Sequence, residues 1–363
     1  MEIIDLRSDT LTKPTPEMRE AMASAEVGDD VFGEDPTVNA LQEKIKDLTG
    51  KDAALFVASG TQANQISINA HTQPGNEVIC EYRSHIFNYE AGAPAMLSGV
   101  QLHPIYGEYG VIKEDEIIEA IRKTDHHFPQ TKLIALENTH NRWGGTIYPI
   151  ENIEKISVIA AEYDIRMHLD GARLWNASVE SAIPIKTYAR YFDSVTLCFS
   201  KGLGAPVGSV IAGSESFIDR AHYYRKAYGG GMRQAGILAA AAIYAMENNV
   251  ERLREDHRRA RILAEAVNEM PGFVVNLRTA QTNIVVIDTS LSGKTAPELT
   301  DEMQKEGIKM IAFSPTRIRA VTHQHITDND IDKTIEILKS IASRRSHNSV
   351  SYTHLTLPTN REV

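Results

Sequence analysis

Short apolar runs alternate with helix-period segments along the first two thirds of the chain, and this alternation constrains the fold more than any other feature. The runs occupy 53–58, 77–80, 132–136, 166–169, 194–199 and 208–212. Segments of helical period at 37–48, 61–70, 114–122 and 153–163 fall between several of them. Runs this short and mostly apolar read as strands buried on both faces. Strands interleaved with helices imply an α/β class with a mostly parallel sheet covered on both sides. A Gly229-Gly230-Gly231 break precedes an Ala-rich helix at 235–247 and a charged one at 251–269, closed by Pro271-Gly272. Two further strands, 283–287 and 317–321, and helices at 296–306 and 328–343 suffice for a small second α/β lobe. The expected division is a large domain at 1–245 with an N-terminal arm, a small domain at 246–345, and a disordered or non-native tail at 346–363.

Composition narrows the partners. At 363 residues the chain needs no disulfide or structural metal to bury a core. Its formal charge of −10 argues against nucleic acid as the principal partner, because a phosphate backbone is bound through clustered Lys and Arg. No apolar run approaches the ~20 residues of a membrane helix, and the first residues lack the pattern of a signal peptide. Cys80 and Cys198 sit inside strand-like runs with no metal-ligand spacing and read as packing residues. These features lead us to expect a cytoplasmic protein with a small-molecule ligand, no membrane association and no bound metal.

Two charged residues close buried strands. Asp170 ends the run in His168-Leu169-Asp170-Gly171-Ala172-Arg173, and Lys201 follows the run at 194–199. In a parallel sheet both emerge at the carboxyl edge, where α/β enzymes bind ligands. A lysine amine can hold pyridoxal phosphate as a Schiff base, and a carboxylate facing the pyridine nitrogen keeps the ring an electron sink. The Ser59-Gly60-Thr61 turn between a strand and a helix directs backbone N–H groups at one spot, as a phosphate requires. His85 lies at the same edge and is placed to stack on the ring or move a proton. Arg173 is placed for the cofactor's phenolate oxygen. Arg233, after the triple glycine, is a candidate phosphate contact, including for a neighbouring subunit. Arg317 and Arg319 share one face of a strand, and either guanidinium could clamp a substrate carboxylate. Adjacent His126 and His127 on a loop are a weak metal signal, since loop neighbours seldom converge on one ion.

Asp5-Leu6-Arg7-Ser8-Asp9-Thr10, the stretch from Gly28 to Pro36, Glu137-Asn138-Thr139-His140-Asn141, His168 to Arg173 and Ser200-Lys201-Gly202-Leu203 occur in that order. In this combination the chain resembles the low-specificity L-threonine aldolases over roughly residues 3 to 343. The resemblance implies the aspartate-aminotransferase-like type I fold and reversible cleavage of L-threonine or L-allo-threonine to glycine and acetaldehyde. It also implies a homotetramer with active sites at subunit interfaces. Lys201 matches the family's Schiff-base lysine, Asp170 the pyridinium partner, Arg173 the phenolate contact, and Ser59, Gly60 and Thr61 the phosphate turn. His85 matches the ring-stacking histidine, His127 the second active-site histidine, and Arg233 the arginine given to a neighbour's phosphate. Ser8 and Arg319 match the grip on the substrate carboxylate, which selects Arg319 over Arg317. Trp143 departs from the pattern and is expected to narrow the substrate mouth. An aminotransferase or a β-eliminating lyase is the alternative reading, because one cofactor supports several bond cleavages.

Overall fold

Six strands of the central sheet run in one direction because each is delivered from a helix on its face; one runs against them. The structure is a computed structural model and describes residues 3–346. Among these, a seven-stranded sheet has the spatial order Ala53–Val57, Ser209–Gly213, Ser194–Cys198, Arg166–Gly171, Thr131–Glu137, Glu77–Glu81 and Gln101–Ile105. Ser209–Gly213 is antiparallel to both neighbours, and every other pairing is parallel. The apolar runs of the sequence match the sheet to within a residue or two. Gln101–Ile105 was not foreseen, because its His103 and Pro104 interrupt the apolar pattern.

Helices start and stop where local chemistry dictates. The Pro36–Thr49 helix begins at Asp35, whose Oδ1 accepts from the N–H groups of Thr37 and Val38, and ends at Gly50 with φ +66°. Asp35 also receives the N–H of Gly236 at 2.8 Å, and a Cβ at Gly236 would lie 2.4 Å from that carboxylate. Only glycine therefore lets the Ala-rich Gly236–Asn248 helix dock there. That helix packs on Pro16–Ala23 and Pro36–Thr49 and buries Ala239, Ala241, Ala242 and Ala245 in the large core.

The core changes over inside the helix Leu253–Asn268. Leu253 belongs to the large core, whereas Ala260, Leu263, Ala264 and Val267 belong to a second one. The second core lies beside a four-stranded antiparallel sheet in the order Ile311–Ser314, Arg317–Val321, Ile284–Asp288 and Val274–Val275. Ile4 and Leu6 of the N-terminal arm pack into it too, and Ile4–Asp5 pairs with Ile308–Lys309. The arm is thus shared between the two units, and it carries Ser8 and Asp9 from the small lobe into the interdomain cleft. The tail expected beyond Ser346 lies outside the described residues.

Candidate active site

Five strands of the same direction end at one edge of the sheet, and the segment after each contributes to one cleft. Ala53–Val57 leads to Ser59, Gly60 and Thr61; Glu77–Glu81 leads to His85; Thr131–Glu137 supplies Glu137 and leads to Asn141. Arg166–Gly171 supplies Asp170 and leads to Arg173, and Ser194–Cys198 leads to Lys201. The inner part of the cleft measures ≈ 160 Å³. An outer part of ≈ 320 Å³ shares His85, Asn141, Arg173 and Lys201 with it and adds Ser8 and Arg319. An equally large depression at the amino end of the Arg166–Gly171 strand, lined by Asp164, Arg166, Arg190 and Asp193, has no comparable set of chemical groups.

The inner floor is suited to a phosphorylated aromatic ring. Ser59 caps the Gly60–His71 helix, its hydroxyl accepting from the N–H of Gln62. The Gly60 and Thr61 amides at the helix's positive end line the cleft. A Cβ at Gly60 would come 2.8 Å from Cys198 Sγ, so the close turn requires glycine. The Asp170 carboxylate accepts from Asn64 Nδ2 at 2.8 Å and from the Ala172 N–H at 3.1 Å. Both contacts fix its plane. Lys201 Nζ touches Cys198 Sγ at 3.5 Å and otherwise opens into the cleft, while its carbonyl receives the Thr12 hydroxyl at 2.9 Å.

The outer wall is cationic. Arg173, 6% exposed, donates two hydrogen bonds to the fully buried Asp9, at 2.8 and 2.7 Å. Burial works against ionisation of Asp9. The charge and hydrogen bonds of Arg173, the charge of Lys201 and a hydrogen bond from Asn283 outweigh it and hold the carboxyl well below its usual range. Arg319 donates to Asn141 Oδ1 at 2.8 Å and to the Arg7 carbonyl at 3.2 Å, and its buried Nε has no partner among the described residues. Burial, and then the neighbouring Arg173, push the Arg319 guanidinium down to about 10. An anionic ligand here would relieve both penalties. His85 Nδ1 lies 2.8 Å from Glu90 Oε1, and its backbone N–H donates to Glu137 Oε2 at 2.7 Å.

The cleft gathers Ser8, Ser59, Gly60, Thr61, His85, Asp170, Arg173, Lys201 and Arg319. It does not gather His127 or Arg233. His127 has a side chain 69% exposed and bonded to Asp125; Arg233 is 52% exposed and paired with Asp29. Within one chain neither reaches the cleft. Trp143 lines neither part of the cleft within this chain: it lines an adjoining cavity of ≈ 180 Å³ with Arg317, beneath the Arg83 guanidinium. Sequence reasoning missed Asp9, Asn64, Glu90, Glu137 and Asn141 as site residues. Asp9, Glu137 and Asn141 lie within the motifs that carry the resemblance, whereas Asn64 and Glu90 had no local signal.

The amides, lysine, aspartate and unpartnered arginine nitrogen together fit pyridoxal phosphate and an amino-acid carboxylate. A family model for beta-eliminating lyase matches residues 5–290. The chain is 45% identical over 340 residues to low-specificity L-threonine aldolase 1 of Arabidopsis thaliana, covering 92% of this chain and 95% of that one. It is 43% identical over 326 residues to the low specificity L-threonine aldolase of Escherichia coli K12, covering 90% and 95%. The chain belongs to the low-specificity L-threonine aldolase family. Membership in this family makes pyridoxal phosphate its cofactor. Solved structures agree on the fold. Leishmania major threonine aldolase superposes with a TM-score of 0.80 at 20% identity, covering 93% of this chain and 99% of that one. A Thermus thermophilus aspartate aminotransferase superposes at 0.70 and 17% identity, covering 94% and 97%, so this aldolase family member has the type I fold.

Proposed function

We propose that the chain cleaves L-threonine and L-allo-threonine reversibly to glycine and acetaldehyde. The observation that carries this reading is the cleft itself, in which Lys201, Asp170 and the unpartnered Arg319 nitrogen converge in a chain closely related to named aldolases. When bound, pyridoxal phosphate supplies an electron sink for the charge left on Cα as the Cα–Cβ bond breaks. Lys201 would hold it, the Ser59-Gly60-Thr61 turn would take its phosphate, and Asp170 and Arg173 would serve its ring nitrogen and phenolate oxygen. Arg319 and Ser8 grip the substrate carboxylate and so orient the Cα–Cβ bond. With His85 Nδ1 committed to Glu90, Nε2 is the ring nitrogen that exchanges a proton with the β-hydroxyl.

Released acetaldehyde, measured on incubating the holoenzyme with L-threonine, tests the reading. Keto acid formed instead with an added acceptor would assign the chain to aminotransfer, and pyruvate from L-serine to β-elimination. Arg319→Ala is expected to lower kcat/KM about 10- to 100-fold, mostly through KM, on loss of charged hydrogen bonds worth about 1.5–3 kcal/mol. Arg319→Lys restores the charge without the fork and recovers only part of that loss. Steady-state kinetics on L-threonine check both.

His127 and Arg233 fit the reading as contributions to a neighbouring chain's cleft in a homotetramer, since both are exposed and absent from their own. No helix among the described residues is long and apolar enough to cross a membrane. Together with the acidic charge balance, this supports a cytoplasmic location.

A further inference from the structure

Behind the cleft lies a buried polar network centred on Glu90 and Asn64, two residues that the sequence motifs do not single out. Glu90, 3% exposed, follows the short His85–Asn88 helix. Its Oε1 lies 2.8 Å from His85 Nδ1 and receives Asn64 Nδ2 at 2.9 Å, while its Oε2 receives Gln65 Nε2 at 2.5 Å. The same Asn64 nitrogen donates to Asp170 at 2.8 Å. One amide group therefore joins the carboxylate behind His85 to the carboxylate on the cleft floor.

The two carboxylates fix the orientation of that amide, and the contacts on its other side are compatible with it. Asn64 Oδ1 is 3.2 Å from His168 Nε2; His168 Nδ1 is 2.8 Å from Ser194 Oγ, which is 2.8 Å from His71 Nε2. A consistent set of donors runs from the His71 N–H to Ser194, from the Ser194 hydroxyl to His168 and from the His168 N–H to Asn64. Burial pushes His168 down to about 4 and His71 well below its usual value, so both rings stay neutral, as this direction requires. Flipping the amide would turn its oxygen toward two carboxylates and its nitrogen toward a donor. The close approach of His85, Glu90 and Asp170 is thus explained by hydrogen bonds rather than by a shared ion.

We propose that Glu90 is a positioning residue for His85, anchored through Asn64 to Asp170, so that the imidazole and the floor carboxylate keep one fixed relation across the cofactor site. The inference rests on the pyridoxal-phosphate reading of the cleft. It adds a residue that touches neither substrate nor cofactor. A carboxylate at Nδ1 fixes the ring plane and tautomer and leaves Nε2 toward the cleft. A misplacement of about 1 Å at such a group can cost 10²-fold in rate. Three carboxylates, Glu90, Glu137 and Asp170, face His85, with Tyr89 at its ring and Arg142, Arg173, Arg319 and Lys201 across the cleft. Burial disfavours the imidazolium, but the Glu90 hydrogen bond and then the charges of Asp170, Glu137 and Glu90 outweigh it and raise His85 above 6.5.

Glu90→Gln keeps the shape and removes the charge. In the holoenzyme kcat on L-threonine should fall about tenfold or more with KM changed less than about threefold, whereas Glu90→Gln added to His85→Asn should cost less than about twofold further. An independent measurement uses the full-length chain freed of cofactor: diethylpyrocarbonate modification of His85 against pH, followed by peptide mass spectrometry. The wild-type midpoint should lie above the ordinary histidine value, and Glu90→Gln should move it lower. Equal losses in the wild-type and His85→Asn backgrounds, or an unmoved midpoint, overturn the proposal. If Glu90→Gln does not fold, Glu90→Asp carries the same measurements: kcat falls while the midpoint stays near wild type, and a displaced midpoint overturns it. Wild-type protein that takes up no pyridoxal phosphate counts against the preceding section alone, because the modification midpoint still reports on Glu90.

Discussion

Lys201→Ala is expected to lower turnover on L-threonine by more than about 10³-fold while leaving the fold in place. The backbone at this position is held independently of the side chain, by the Thr12 hydroxyl and the Gly204 N–H, both donating to the Lys201 carbonyl at 2.9 Å. The amine itself makes one weak contact, with Cys198 Sγ. Truncation therefore removes the nucleophile and little else. Borohydride reduction of the wild-type holoenzyme, followed by peptide mass spectrometry, should place a pyridoxyl adduct at residue 201, and the variant should show none. A variant with turnover within tenfold of wild type, or a wild-type adduct on a different lysine, would defeat the assignment of the cleft.

The second large effect concerns stability. Asp9→Asn should cost about 3–5 kcal/mol, because it leaves the buried Arg173 guanidinium without its hydrogen-bonded counter-charge. Asn283 Nδ2 loses an anionic acceptor at 3.1 Å in the same step. Urea unfolding of wild type and variant at equal cofactor saturation measures this, since bound ligand would otherwise mask the difference. The same pair makes a pH prediction. Arg173 holds the folded-state carboxyl of Asp9 below its ordinary value of 3.8. The ion pair's stabilisation is therefore fully present above about pH 4 and is lost as pH falls toward the lowered folded-state value. Asp9→Asn should flatten that acid limb. A variant as stable as wild type, with an unchanged acid limb, would show that the pair contributes nothing net.

Much of the fold was legible because the signals were periodic and local. Ala53–Val57 is an uninterrupted apolar run, and Arg166–Gly171 and Ser194–Cys198 carry Met167, Leu169, Val195 and Leu197 within short segments that a two-sided sheet buries almost entirely. Gln101–Ile105 escaped because Pro104 and partial exposure break that signal. Val274–Val275, Ile308–Lys309 and Ile4–Asp5, at two residues each, carry no period at all. The change from one core to the other is silent in the sequence for a related reason. Leu253–Asn268 is one continuous helix, and nothing in its own pattern marks where its neighbours change.

The site divides in the same way. Asp170, Lys201 and the Ser59-Gly60-Thr61 turn were readable from strand ends, since a parallel sheet sends every strand's carboxyl end to one edge. Asn64 and Glu90 were not, because a polar residue on a helix or past a short one reads as solvent-facing until its partners are known. Glu90 finds its partners in His85, Asn64 and Gln65, and only their packing makes it a buried acid. His127 and Arg233 show the converse: motif position named them, yet their own chain folds them outward.

The order of apolar and helical segments by itself determined the class of fold, the sheet edge that binds ligand and the cofactor chemistry, because each depends on short-range periodicity and on residue types at strand ends. Tertiary structure alone decided which acid pairs with Arg173, what holds Arg319 in place and what holds His85. Those outcomes depend on contacts between residues distant in the chain, such as Asp9 with Arg173 and Arg319 with Asn141, and no local pattern encodes them.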